Sequence, residues 1–249
     1  MTPLHLLRSP LLHVPHGFSL RGGGASEGPL ASLNIGDGVG DSPDRVAENV
    51  RRVARAAGLR PELLVTVRQV HGDRVVRAVP GLPAEGDAVW TDDPEGTWVG
   101  VKAADCVPVL LSTEDGRCVA AVHSGWRGTL LRTAARAVEV LERAGARPAA
   151  LRAVVGPCIQ ACCYEVGNDL GERFGAAFGS GVLRSGAGRP HLDLPAAVRA
   201  TLCDAGLLSE HIDVLADCTA CDAERFFSHR RDRGRTGRHL AFVAPAALS

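Results

Sequence analysis

Three side chains that bind metals well, His71, Cys106 and His123, each sit where a short apolar run meets a turn, in the segments QVHG, ADCVP and VHSGWRG. Two imidazoles and a thiolate make a donor set suited to zinc, and three protein ligands leave a fourth position open, as hydrolytic and transfer chemistry requires. The spacing is far wider than in a compact finger, so only the fold can gather the three; two ordinary histidines and a buried cysteine fit the same spacing. Asp105, beside Cys106, is a candidate catalytic residue that could relay a proton or steady a ligand, or could simply satisfy loop amides. Cys106 could instead be a nucleophile with His123 or His71 as its base, making the chain an amide hydrolase. A metal-bound thiolate attacks carbon poorly, so the two roles exclude each other in one catalytic state. The turn at 125–128 offers amides to phosphate and Arg127 adds charge; a packing turn with a solvated arginine is the competing reading. Trp126 could stack on a flat ring or belong to the core.

The elements that must position these groups follow from periodicity. Ser42-Pro43-Asp44 opens a helix whose Val46, Val50, Val53 and Ala57 share a face and which Gly58 ends. Extended segments are predicted at 63–70, 74–79 and 87–91, with Gly72 and Asp73 as a tight turn between the first two and His71 on that turn. Strands at 98–103, 107–111 and 118–122 leave Cys106 and His123 at strand edges. Past Gly125 and Gly128, the helical spacing of Leu130, Leu131, Ala134, Ala135, Val138 and Leu141 predicts one helix stopped by Gly145. Strands at 152–155, 212–215 and 240–243 and helices at 165–178 and 195–205 complete the chain. No internal repeat is present, and the loop-like stretch 179–190 is too short to separate domains, so 1–249 is expected to be one α/β domain.

Composition narrows the function. The 249 residues are 45% hydrophobic and 22% charged, a globular balance that buries roughly 70–75% of the unfolded surface without staples. Twenty-eight basic and 28 acidic residues cancel, removing the long-range field that draws proteins to nucleic acid or anionic membranes. Lys102 is the sole lysine, a skew that reads as genomic base composition. The run of Arg230, Arg231, Arg233, Arg235 and Arg238 invites phosphate-backbone contacts, but overall neutrality favours a structural role or a place beside a small phosphate. The N-terminal apolar runs are broken by Pro3, Arg8, Pro10 and Pro15, which suits neither a signal segment nor a membrane span, so a cytoplasmic protein is expected. There the eight cysteines read as buried thiols, ligands or nucleophiles. Cys218 and Cys221 form C-x-x-C and could make a four-cysteine zinc site with Cys158 and Cys162 or Cys163; separate buried thiols are the competing reading.

Ordered motifs span nearly the whole chain: HGFSLRGGGAS at 16–26, ASLNIGDGVGDSPDRVAENVRRV at 31–53, QVHGDRV at 69–75, ADCVPVLL at 104–111, AVHSGWRGT at 121–129, GPCIQACCYEVG at 156–167 and FFSHRRDRGRTGR at 226–238. In these the chain resembles the laccase-domain family, also described as multicopper polyphenol oxidase-like or YfiH-like proteins. The resemblance implies a four-layer αββα sandwich of mixed sheets and a metal triad on His71, Cys106 and His123. Ser124 stands where the family often has alanine. The resemblance also places Arg21 and Asn34 in N-terminal motifs that could line a substrate pocket, although such segments are as readily turns. Ser228 and His229 could approach the same pocket.

Family members are associated with phosphorolysis of adenosine, inosine and methylthioadenosine and with deamination of adenosine, so a zinc-dependent purine nucleoside phosphorylase with deaminase activity is implied, its partners being nucleosides and phosphate. The H-x-E and P-C-x-x-C signature of the familiar zinc deaminases is absent. A copper-dependent polyphenol oxidase is disfavoured by the residues: no His-x-His pair occurs, and the sole methionine, a common axial copper ligand, is Met1. Copper could still displace zinc in vitro, because raw affinity favours it. The fold's likeness to a toxin deamidase, and an association of some members with peptidoglycan-precursor editing, keep the Cys106 amide-hydrolase alternative. A metal-binding protein without turnover is a third.

Overall fold

A computed structural model describes residues 4–184 and 188–246; Met1, Pro3 and residues 185–187 of the loop expected at 179–190 lie outside the described residues. In chain order the elements are β1 (Leu6–Leu7), β2 (His16–Ser19), α1 (Pro43–Ala57), β3 (Leu64–Thr66), β4 (Val75–Arg77), β5 (Ala88–Thr91), β6 (Trp98–Ala103), β7 (Val107–Ser112) and β8 (Val119–Ser124). They continue with α2 (Trp126–Leu130), α3 (Thr133–Arg143), β9 (Arg152–Val155), α4 (Asn168–Phe178), β10 (Leu183–Arg184), β11 (His191–Leu192), α5 (Leu194–Asp204), β12 (Ile212–Val214) and β13 (His239–Val243).

Two mixed sheets carry the fold, one ordered β1-β2-β13-β6-β3 and the other β12-β9-β7-β8-β5-β4. The period-2 alternation of their strands assigns the layers. In β8, Val119 and Ala121 face the first sheet and pack with Val99, Val101 and Val243. The alternate residues Ala120 and Val122 face the other way, among Val138 and Leu141 of α3 and Val198 and Leu202 of α5. On the far side of the first sheet, Trp98, Leu240 and Phe242 bury Val53 and Ala54 of α1. Helix, sheet, sheet, helix is thus the layer order, matching the expected αββα sandwich.

The opening of α1 at Pro43, after Ser42, and its end at Gly58 with φ +70 follow the sequence signals. Four expectations are corrected. Gly72 and Asp73 do not turn a hairpin: β3 pairs parallel with β6 and β4 parallel with β5, so the chain crosses between sheets at this point. The helix expected past Gly128 is two helices, α2 and α3, separated by Arg132 at φ +61. His123 lies inside β8 rather than at its edge. The start of α4 is also later than periodicity suggests, because Glu165 bridges to His191 and Gly167 caps the helix.

Candidate active site

The crossover between the sheets delivers His71, whose backbone is left-handed at φ +61, to the ends of β7 and β8. Cys106 immediately precedes β7, and His123 pairs with Pro108 across the β7–β8 ladder. As a result the three predicted ligands offer donor atoms that all lie within 4.8 Å of one another. The two imidazoles meet edge to face, with ring centroids 5.0 Å apart.

What orients them is Asp87, a residue with no pattern in the sequence. Its fully buried carboxylate accepts the amides of Val70, His71 and Gly72 at 3.1, 3.0 and 2.7 Å. The same carboxylate meets His123 Nδ1 at 2.9 Å, which turns Nε2 toward Cys106. Burial pushes the Asp87 carboxyl up, but the bonds from His123 and from the Gly72 and Val70 amides outweigh it and hold the group below the usual carboxylate range. Burial likewise opposes charge on Cys106 and His123, yet each favours the other's charged form. Cys106 is drawn down to about 6 by His123 and His71, and His123 is raised to about 9 by Cys106 and Asp87. A thiolate at neutral pH beside two imidazoles suits zinc. Gly125 leaves the required room: a Cβ there would stand 2.9 Å from Cys106 Sγ and 3.3 Å from the His71 ring. The donor chemistry and this cleared cradle therefore fit the metal implied by the resemblance.

Asp105 is held at φ +89, and its carboxylate is already occupied by Thr219 Oγ1 at 2.6 Å, Ser228 Oγ at 3.0 Å and the Arg230 amide at 2.6 Å. Its carbonyl accepts the Ile159 amide at 3.0 Å. The residue thereby ties three loops to the turn that leads Cys106 into β7, consistent with a structural role rather than with a free acid.

The triad opens into a cavity of about 1130 Å³. Trp126, Tyr164, Lys102, His229, Arg230 and Arg238 are among its walls. Tyr164 is pushed up to about 12, chiefly by burial, so it remains a phenol, and Arg230 lies over its ring at 5.0 Å. Three residues expected at substrate do not line this cavity. Asn34 is fully buried and bonds Gly36, Asp41 and the Arg238 amide. Arg21 spans the carbonyls of Ala31 and Ala223 with its guanidinium over Phe227. Arg127 is exposed and stacks on Trp126 at 4.9 Å, on a helix of only five residues. Ser228 supports Asp105 while its neighbours His229 and Arg230 reach the cavity. Arg231 bonds the carbonyls of Thr219 and Phe226, a structural use of the arginine run.

All eight cysteines are free thiols; Cys158 is buried in the core, whereas Cys162, Cys163, Cys218 and Cys221 form a second group of metal-capable side chains. No helix among the described residues is long and apolar enough to cross a membrane.

Residues 15–246 match the model of the family described as multi-copper polyphenol oxidoreductase laccase. The chain is 44% identical to a purine nucleoside phosphorylase of Deinococcus radiodurans, over 96% of this chain and 92% of that one. It is 35% identical to the purine nucleoside phosphorylase YlmD of Geobacillus stearothermophilus, over 94% and 91%. Among solved structures, the YfiH protein of Bacillus licheniformis superposes with a TM-score of 0.90 at 32% identity, covering 99% of this chain and 97% of that one.

Proposed function

The chain belongs to the multi-copper polyphenol oxidoreductase laccase family, and from that premise we propose that it is a zinc-dependent purine nucleoside phosphorylase that cleaves adenosine, inosine and methylthioadenosine and also deaminates adenosine. The names of its relatives support the phosphorolytic reading. The observation that carries it is one cavity in which the His71, Cys106 and His123 donors face cationic and aromatic walls. We read 1–249 as a single domain, in keeping with the match over 15–246.

His71, Cys106 and His123 would hold the zinc, which when bound supplies a Lewis-acid centre with an open position. Phosphorolysis needs phosphate held beside the ribose C1′ while the glycosidic bond breaks and the purine leaves. Arg230 and Arg238 supply the positive charge for that anion, displacing the role first expected of Arg127, while Lys102 is paired with the Asp37 carboxylate in the same wall. Tyr164 and Trp126 give the base an aromatic wall, although arginines stack on both rings, and the Tyr164 phenol can donate a hydrogen bond. Asp105 and Asp87 are positioning residues in this reading, acting through Cys106 and His123. An oxidase is disfavoured by the donors: among the described residues no metal-capable group contains a histidine beyond His71 and His123.

Zinc-loaded protein incubated with adenosine or inosine tests the proposal when products are separated by chromatography. Free base formed only with phosphate, and inosine formed from adenosine, are expected. Neither product from fully loaded protein overturns it.

A second reading rests on His123 lying between Asp87 and Cys106, the order of a Cys-His-Asp nucleophilic triad. It makes the metal-free chain an amide hydrolase acting on a peptidoglycan precursor. Amide cleavage by zinc-stripped protein, inhibited by added zinc, would favour it over phosphorolysis.

A further inference from the structure

The loops that follow β9 and β12 leave the second sheet side by side. The two strands pair in parallel, and the pairing continues past them in a bridge between Cys158 and Cys218, with the Thr219 amide on the Cys158 carbonyl at 3.0 Å. Each loop then turns sharply. The amides of Cys163 and Tyr164 both bond back to the Gln160 carbonyl, and the Asp222 amide bonds back to the Cys218 carbonyl. The first turn presents Cys162 and Cys163; the second presents the C-x-x-C pair Cys218 and Cys221.

We infer that Cys162, Cys163, Cys218 and Cys221 form a second metal site, a closed tetrathiolate that takes zinc and clips these two loops together. All four sulfurs lie within 4.8 Å of one another. Cys221 Sγ stands 3.5 Å from Cys162 Sγ and 3.3 Å from Cys163 Sγ, and those two are 3.8 Å apart. Four sulfurs at about 2.3 Å from one tetrahedral zinc would be ~3.8 Å apart, so the group already has the dimensions of a single-ion site. A disulfide accounts for the grouping less well, because it joins two sulfurs at about 2.05 Å and leaves two further thiols packed against it without purpose. The Gln160 amide points at Cys218 Sγ from 3.5 Å, the kind of N–H to sulfur contact that steadies a ligating thiolate. With only thiolates for donors and no imidazole or carboxylate in the group, the chemistry selects a soft or borderline ion, and four protein ligands leave no position for substrate. The site is therefore structural.

Its placement gives it a task. The first loop carries Ile159 and Tyr164 into the wall of the large cavity. The second carries Thr219, which holds the Asp105 carboxylate beside Cys106 and whose carbonyl receives Arg231. Joining the loops fixes that wall against the turn bearing Cys106. Zinc binding here releases the thiol protons to solvent and adds its binding free energy to folding of this region. Cys158, first considered for such a set, is instead buried in the core, and both Cys162 and Cys163 belong to the group.

The test is the zinc content of the full chain, saturated with zinc, freed of loose metal and measured by elemental mass spectrometry. Two zinc ions per chain are expected for the parent, one for Cys106→Ala, one for the double variant Cys218→Ser with Cys221→Ser, and none when all three changes are combined. If the double variant fails to fold, cobalt-loaded Cys106→Ala gives an independent readout: the absorption of tetrahedral cobalt with four thiolates, at one equivalent. A double variant that keeps the parent's full zinc content, a Cys106→Ala variant that binds none, a cobalt spectrum without thiolate charge transfer, or a disulfide within the group in native protein would each overturn the inference, whereas a parent that loses its single zinc in the double variant supports it and counts only against zinc at the triad.

Discussion

Asp87 is the residue on which the site's geometry turns. It fixes the crossover bearing His71 through three amides and fixes the His123 ring through Nδ1, so one carboxylate orients two of the three proposed ligands. Asp87→Asn is expected to weaken zinc binding at the triad by about 10- to 100-fold, measured by competition with a chelator, while the fold persists. An unchanged affinity would remove Asp87 from the account. Cys106 gives a second residue-scale prediction. Because His123 and His71 outweigh burial and lower its thiol to about 6, the thiolate dominates at pH 7 in metal-free protein. Iodoacetamide should then label Cys106 rapidly at pH 7, labelling should fall as pH drops through about 6, and zinc should block it. The three donor residues were legible in the sequence, and the ordered motifs pointed to their meeting, which the fold achieves. Asp87 was not, because a single aspartate between Gly86 and Ala88 has neither periodicity nor a motif to mark its long-range bonds.

At the scale of elements, the break between α2 and α3 is part of the site. The Thr133 hydroxyl at the start of α3 meets the Gly72 carbonyl at 2.8 Å and the Gly128 carbonyl at 3.0 Å, so the second helix begins where it anchors the His71 crossover. Thr133→Val should cost about 1 kcal/mol in denaturant unfolding and loosen zinc at the triad; a stability loss with zinc affinity intact would limit Thr133 to packing. Gly125→Ala is the sharper probe, because its Cβ would intrude between Cys106 and His71. That variant is expected to fold but to lose zinc from the triad, as read by metal content. Periodicity found strands such as Trp98–Ala103 and the helix Pro43–Ala57, whose apolar patterns answer directly to burial. It merged α2 with α3 because the apolar spacing runs through the break, and it proposed a hairpin at Gly72 because parallel pairing with distant strands leaves no local trace.

For the whole molecule, buried neutral histidines set the acid limit. His239 lies between Phe226 and Phe227, and burial lowers it to about 4; burial also lowers His16. The unfolded chain takes up a proton near pH 6.5 that the folded chain refuses until about 4. The stabilisation is therefore fully present above 6.5 and is lost as pH falls toward 4, about 3 kcal/mol for His239. Denaturant midpoints of metal-free protein should fall from pH 7 to pH 4.5, and His239→Gln should flatten the slope; a flat parent profile would contradict this.

The layered architecture and the family motifs place His71, Cys106 and His123 in front of a large cavity with cationic and aromatic walls, and the central claim is that phosphorolysis takes place there. The most direct test follows ribose 1-phosphate formed from inosine and phosphate, by phosphorus magnetic resonance, as zinc is titrated into metal-free protein. Product formation is expected to rise with zinc bound at the triad and to be abolished in His71→Ala and His123→Ala. Ribose 1-phosphate made at full rate without zinc, or by either variant, would contradict it.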